Sequence, residues 1–157
     1  MRIAVTGSEG LIGRYVCDQL SGYGNDHEVV RIDKTLGHDL LSEVLVIDLF
    51  KGLGRIDALI NLFAFNDHVR EGEKRGTLFD LPLDSFREAM DVNVTALFSV
   101  CREYARNVLQ CDSGGGTIIN FSANTGIVSP RPDMYDGAHK HFGYSISKCA
   151  VAHLTRM

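Results

Sequence analysis

Three glycines near the N-terminus restrict this chain more than any other feature. The run "TGSEGLIG" places Gly7, Gly10 and Gly13 directly after a short apolar stretch, "RIAVT" (Arg2–Thr6), and at the head of a helical pattern from about Leu11 to Leu20. Backbone without side chains can turn sharply there and approach a pyrophosphate, whose charge is favoured by the amides and dipole at the helix start. Such a pattern alone is a weak signal, since glycines also serve tight turns and packing. Here it is followed by a second strand, "HEVVRID" (His27–Asp33), whose acidic end lies twenty residues beyond Gly13. That is the context of a dinucleotide-binding unit. Asp33 would accept hydrogen bonds from ribose hydroxyls and repel a 2′-phosphate, which favours NAD over NADP. Arg31 and Lys34 stand nearby and oppose that preference, and an ordinary turn residue at Asp33 is the competing reading.

The remaining pattern alternates short β-rich runs with helical ones, as expected of an α/β chain built of βαβ units with a parallel sheet. "HDLL" reads as a clipped strand. "SEVLVIDLFKGLG" reads as a helix, although its β-branched residues also suit a strand, and "DALINLFAF" (Asp57–Phe65) reads as a buried strand. Phe65–Leu81 is polar and glycine-containing, so a surface loop is expected. From Pro82 to about Leu109, Phe86, Met90, Val94, Leu97, Val100, Tyr104 and Val108 recur at a three-or-four spacing that predicts one long amphipathic helix, with Pro82 in its first turn. "GGGTIINFSA" (Gly114–Ala123) predicts a turn and another buried strand, and a long loop, Gly126 to Gly143, follows. Loops of that length are more often functional than accidental.

One domain covering residues 1–157 is the expectation for a chain of this length with 45% hydrophobic residues. The net charge of −4, with no large cluster of Lys or Arg, argues against nucleic acid and anionic membranes as partners. The N-terminus reaches glycine too soon for a signal-peptide hydrophobic region, and no apolar run approaches membrane-spanning length, so a cytoplasmic protein is expected. Cys17, Cys101, Cys111 and Cys149 lack the spacing of redox or zinc motifs and are expected as reduced, unpaired thiols. His139 and His141 flank Lys140 and make a poor metal clip, so no metal site is expected.

In "GYSISK", Tyr144 and Lys148 lie four residues apart, on one face if the segment is helical. A free phenol has a pKa near 10 and is a poor proton shuttle at neutral pH. At an effective dielectric of about 20, an ammonium some 4–6 Å away supplies roughly 3–4 kcal/mol, or a depression of about 2–3 pKa units. That would bring the tyrosine into general acid/base range.

The set "TGSEGLIG", "DALINLFA", "MDVNVTALF", "GGTIINFSA" and "YSISK", in this order, resembles the short-chain dehydrogenase/reductases. The resemblance implies a nicotinamide-dependent oxidoreductase on a Rossmann-like, doubly wound parallel sheet. Tyr144 would match the catalytic acid/base, and Lys148 would bind the nicotinamide ribose and lower the tyrosine's pKa. Asn93 would match the residue that holds a relay water, with a capping or core amide as its alternative. Cofactor contacts would come from Gly7, Gly10, Leu11, Ile12, Gly13, Asp33, Tyr144 and Lys148. Leu62, Phe63 and Ala64 of "NLFA" would lie against the adenosine, and Asp39 with Leu40 beside the adenine.

The departures narrow the inference. The family's substrate-orienting serine falls at Ala123, three residues before Gly126; Ser122 is favoured over Thr125 as its replacement, and a site without that hydroxyl stays open. "NLFA" and the G-x-x-G-x-x-G spacing resemble sugar-nucleotide-modifying relatives. "GIVSPRPDMYDG" before "YSISKCAVAHLTRM" resembles oxidoreductases of flagellin-modification and surface-sugar pathways. The short stretch from Asp33 to Asn61 predicts a missing or reduced crossover helix. The chain stops soon after the Tyr–Lys helix, so a truncated member without the C-terminal strands and substrate loop is expected, leaving the strand of Gly114–Ala123 with an open edge.

Three functions follow. The first is NAD-preferring interconversion of a hydroxyl and a carbonyl on a small polar substrate, with a sugar derivative as the candidate. The second is a nucleotide-binding module without turnover, and the third a sugar-nucleotide epimerase or dehydratase. The resemblance also implies a homodimer or homotetramer formed through the Pro82–Leu109 helix and the Tyr144–Met157 helix.

Overall fold

The computed structural model describes residues 1–22, 27–66, 78–80, 82–111, 114–131, 133 and 142–157. Most of the loop expected over Phe65–Leu81 and half of the one from Gly126 to Gly143 lie outside these residues. His139, Lys140 and His141 lie wholly outside them. The fold divides into two compact units, Met1–Phe63 with Thr95–Phe121, and Ala64–Val94 with Ser122–Met157.

The first unit is built on four parallel strands, β1 (Arg2–Thr6), β2 (Glu28–Ile32), β3 (Ala58–Asn61) and β4 (Thr117–Asn120), in the order β2-β1-β3-β4. Successive strand residues point to opposite faces, and the two faces of β1 and β3 find different partners. Ala4 and Leu59 pack with Val46 and Phe50 of helix α2 (Glu43–Gly52) and with Val100 and Tyr104 of helix α4 (Leu97–Gln110). Ile3, Val5, Ala58 and Ile60 pack with Cys17, Val16 and Leu20 of helix α1 (Leu11–Ser21). Helices on both faces make the sheet doubly wound, as the sequence predicts. The chain order reverses between β1 and β3, and ligands of such sheets bind at the carboxyl ends of the strands flanking that point.

Several expectations change. "HDLL" is a turn rather than a strand. Asp39 accepts from the Leu41 amide at 3.1 Å, and that local bond stabilises the turn. The following segment is helix α2, started by Ser42, whose hydroxyl accepts from the Leu45 amide, with Glu43 in the first turn. One helix therefore joins β2 to β3, in line with the reduced crossover expected there. β4 is not fully buried: Ile118 faces α4, whereas Ile119 is 45% exposed. β4 ends the row of strands among the described residues.

Tyr104, 1% exposed, ties β3 to β4 at their starts. Its hydroxyl donates to the Asp57 carbonyl at 2.9 Å and accepts from the Thr117 amide at 3.0 Å. A side chain at Gly116 would meet that hydroxyl, which accounts for the glycine before the strand.

The second unit contains helix α3 (Leu83–Met90), a short 3₁₀ turn at Asn124–Gly126, and helix α5 (Phe142–Leu154), with both earlier elements packed on α5. Pro82 is the extended cap before α3, not a residue of its first turn. The predicted long helix is interrupted by a π-helical turn at Asp91–Ala96, within which the chain passes from the second unit to the first. Such turns recur at functional sites, and this one carries Asn93.

Candidate functional site

In the first unit the glycine loop is constrained by its own backbone. Gly7 has a φ of +69°, and a Cβ there would lie 2.5 Å from the Phe63 amide nitrogen. A Cβ on Gly13 would lie 2.0 Å from the Gly7 carbonyl oxygen. These two positions accept no side chain, so the loop lies directly against the Leu62–Phe63 backbone. Gly10 has only the Gly7 carbonyl nearby. No side chain caps α1 and its first turn holds no acidic residue, so the first amides are available to an anion. Leu11 and Ile12, exposed at 95% and 53%, border the same end. This loop fits a dinucleotide pyrophosphate.

Asp33 stands beside the loop. Its carboxylate accepts from the Glu9 amide at 3.1 Å and from the Thr35 amide and hydroxyl, each at 2.9 Å. Burial acts to raise its pKa, but these donors and the nearby Arg14 outweigh it and hold the group below the usual carboxylate value. Asp39 and Leu40 line a shallow pocket of about 230 Å³ together with Val46 and Leu49 of α2. The glycine loop, Asp33 and "NLF" thus converge in one unit.

A buried polar network not foreseen from sequence lies at the carboxyl ends of the strands. Asn61 accepts from the Thr6 hydroxyl at 2.8 Å and donates to Asn120 at 2.8 Å. Cys101 touches both asparagines, and burial pushes its thiol up to about 11. The asparagines at equivalent ends of adjacent strands, in "LIN" and "IIN", were the available signal.

The second unit gathers Asn93, Ser122, Tyr144 and Lys148 around α5. Lys148 is 5% exposed, and its Nζ lies over the Tyr144 ring, 5.7 Å from the centroid. Burial raises the pKa of Tyr144 and lowers that of Lys148. The expectation that the lysine depresses the tyrosine is therefore corrected in this arrangement. The desolvation of both groups favours their neutral forms.

Asn93, 2% exposed, is fully engaged. Its Oδ1 accepts from the Phe65 amide at 2.7 Å, and its Nδ2 donates to the Phe65 carbonyl at 2.8 Å and to Ser147 Oγ at 2.9 Å. Ser147 in turn donates to the Tyr144 carbonyl at 2.8 Å. The amide side chain braces the helix that carries Tyr144, and Ser147, missed in the sequence, is the link. Ser122 Oγ donates to the Lys148 carbonyl at 2.7 Å. Thr125 Oγ1 is buried and has no hydrogen-bond partner among the described residues. A Cβ on Gly126 would lie 2.6 Å from the Lys148 carbonyl carbon, so the 3₁₀ turn rests on the α5 backbone itself.

Residues 23–157 match the family described as Enoyl-(Acyl carrier protein) reductase. The chain belongs to the short-chain dehydrogenase/reductase family. Among relatives, it is 28% identical over 133 residues to the Glucose 1-dehydrogenase of Gluconobacter oxydans (strain 621H), an alignment covering 85% of this chain and 43% of that protein. The chain thus spans less than half the length of that curated relative. A solved small-chain dehydrogenase superposes with a TM-score of 0.78 at 18% identity, covering 99% of this chain and 73% of that one. An NAD+-bound xylitol dehydrogenase gives 0.77 at 23% identity, covering 98% and 62%. A short chain dehydrogenase from Leptospira borgpetersenii with bound NAD+ gives 0.77 at 18% identity, covering 99% and 63%. At these identities the solved structures establish the shared Rossmann-like fold. Among the described residues, no helix is long and apolar enough to cross a membrane.

Proposed function

We propose that the chain carries the cofactor-binding and proton-transfer residues of an NAD(P)-dependent oxidoreductase that interconverts a hydroxyl and a carbonyl on a small polar substrate. The observation that carries this reading is the desolvated Tyr144–Lys148 pair on a helix braced by Asn93 and Ser147. The glycine loop and family membership support the cofactor class, and the sugar and polyol dehydrogenases among the relatives support a polyhydroxylated substrate.

Gly7, Gly10 and Gly13 would hold the pyrophosphate at the α1 amides, with Leu11 and Ile12 against it. Asp33 would take the adenosine ribose, Asp39 and Leu40 the adenine, and Leu62, Phe63 and Ala64 the adenosine face. When bound, the nicotinamide accepts or supplies a hydride. During reduction Tyr144 Oη gives its proton to the developing alkoxide, and during oxidation its phenolate takes the proton from the substrate hydroxyl. As a high-pKa group, it acts most readily as an acid toward a developing alkoxide. Lys148 would hold the nicotinamide ribose, whose hydroxyls give its amine polar partners. Ser122 serves the site through the α5 backbone, by the bond to the Lys148 carbonyl.

Titration with NAD and NADP, followed by aldoses and polyols as substrates, tests the reading. Tyr144→Phe is expected to lower kcat by about 10²–10⁴, a loss far larger than any change in cofactor affinity; undiminished turnover removes the tyrosine from the mechanism. A nucleotide-binding module without turnover is the second reading, favoured by the high tyrosine pKa and by Ala123. Cofactor binding with no turnover across the panel would select it. An epimerase or dehydratase would convert a sugar nucleotide without net release of reduced cofactor.

A further inference from the structure

We propose that His38 is a positioning residue for Asp33 and makes dinucleotide binding depend on pH: its neutral imidazole holds the Asp33 backbone by accepting from the Asp33 amide, and protonation of the ring releases it. The inference rests on the nucleotide reading above and names the group that would set the acid limit of that binding.

Asp33 directly follows β2, the outermost strand of the row β2-β1-β3-β4. No further strand among the described residues lies beside it to take up its amide, and a part-buried backbone donor left without an acceptor costs free energy. The chain supplies the acceptor by returning on itself. Lys34–Leu36 form a 3₁₀ turn, and Gly37, at a φ of +88°, reverses the backbone in the left-handed region that glycine enters without strain. His38 is thereby brought back to Asp33 at two points. Its amide donates to the Asp33 carbonyl at 3.1 Å, and its Nδ1 accepts from the Asp33 amide at 3.3 Å. Accepting at Nδ1 fixes the neutral ring with its hydrogen on Nε2.

The carboxylate of Asp33 is oriented by the Glu9 amide and by Thr35, and His38 fixes the backbone from which that carboxylate projects. Charged groups surround the ring on several sides. Asp33, Lys34 and Asp39 belong to its own turn, and Asp48 of α2 lines the same pocket as His38 and Asp39. From the glycine loop, Glu9 meets Asp33 through its amide and pairs with Arg14 and Arg31, and Arg14 also acts on Asp33. Histidine is the side chain that gains a proton between about pH 8 and about pH 5. A proton on Nδ1 sets one donor against another at the Asp33 amide, and the charged ring finds acceptors instead in Asp39 and Asp48. Asp33 itself stays ionised through that interval, because its donors hold its pKa below the usual carboxylate value. The change therefore belongs to the imidazole. In the sequence, His38 was only the first residue of a segment read as a clipped strand.

Calorimetric titration with NAD+ at about pH 8 and about pH 5.5 tests the inference, with His38→Asn and His38→Ala beside the wild type. The wild-type chain is expected to bind about tenfold more weakly at the lower pH. Asparagine offers an acceptor oxygen at every pH, so His38→Asn is expected to rescue the bond and to hold its affinity within about twofold across the interval. His38→Ala is expected to bind weakly at both pH values. A readout without nucleotide accompanies these: the Asp33 amide nitrogen resonance is expected to move through the interval in the wild type and to stay in place in His38→Asn. An immobile resonance in the wild type, the same pH dependence in His38→Asn, or an affinity that rises toward acid pH overturns the inference, while NAD+ binding still upholds the nucleotide reading. A wild-type chain that binds no NAD+ at either pH overturns both.

Discussion

Lys148 shows how a single residue can serve the chemistry and be costly in folding. It is nearly inaccessible, and burial lowers its pKa from the usual 10.5. Between its folded pKa and that unfolded value, the unfolded chain binds more protons, so stability rises with pH across that window. Below the folded pKa, both states are charged and the folded state bears the desolvation cost. Lys148→Met is therefore expected to raise stability at neutral pH by about 1 kcal/mol, while abolishing turnover. In urea titrations from about pH 7 to about pH 9.5, the wild type should gain stability and the methionine variant should not. Parallel curves would show that the lysine is not desolvated as described. Tyr144 has the opposite sign: its raised pKa costs stability only above the normal phenol range, beyond this window.

At the scale of elements, α5 is the part whose position matters most within its unit. Its sequence spacing alone places Tyr144 and Lys148 on one face, because residues four apart are neighbours on any helix. What holds the helix in place is legible only in part. Asn93 was visible as a polar residue inside an apolar pattern, but neither its link to Ser147 nor the π-helical turn beneath it has a signature in spacing. Gly126 was a counting mark in the sequence and is a packing requirement in the structure. Gly126→Ala would drive a Cβ into the Lys148 backbone, which cannot yield as a flexible side chain would. The expected cost is about 1–3 kcal/mol, with a fall in kcat as Ser122 is displaced from the Lys148 carbonyl. Gly52→Ala, at a helical position with nothing within 4 Å, should leave the thermal midpoint and kcat unchanged and serves as the control.

At the scale of the whole molecule, the apolar surface not used inside either unit bears on assembly. Phe98 and Leu109 on α4 are 49% and 81% exposed, and Ile146 on α5 is 47% exposed. Exposed apolar residues on the helices expected to mediate assembly favour a homo-oligomer. Light scattering coupled to gel filtration is expected to return a dimer or tetramer, and Phe98→Glu with Ile146→Glu to return a monomer. A monomeric wild type would remove these helices as an interface.

The sequence by itself determined what depends on local geometry. Glycines without side chains permit the tight loop, alternating runs build the doubly wound sheet, and a four-residue interval aligns tyrosine with lysine. Only the tertiary structure decided what depends on surroundings: that burial raises the Tyr144 pKa, that Asn93 and Ser122 are engaged by α5, and that Glu9 and Asp18 hold Arg31. The reason is physical. Conformational preference is carried by a few neighbouring residues, whereas desolvation and ion pairing depend on groups that are distant in the chain until it folds.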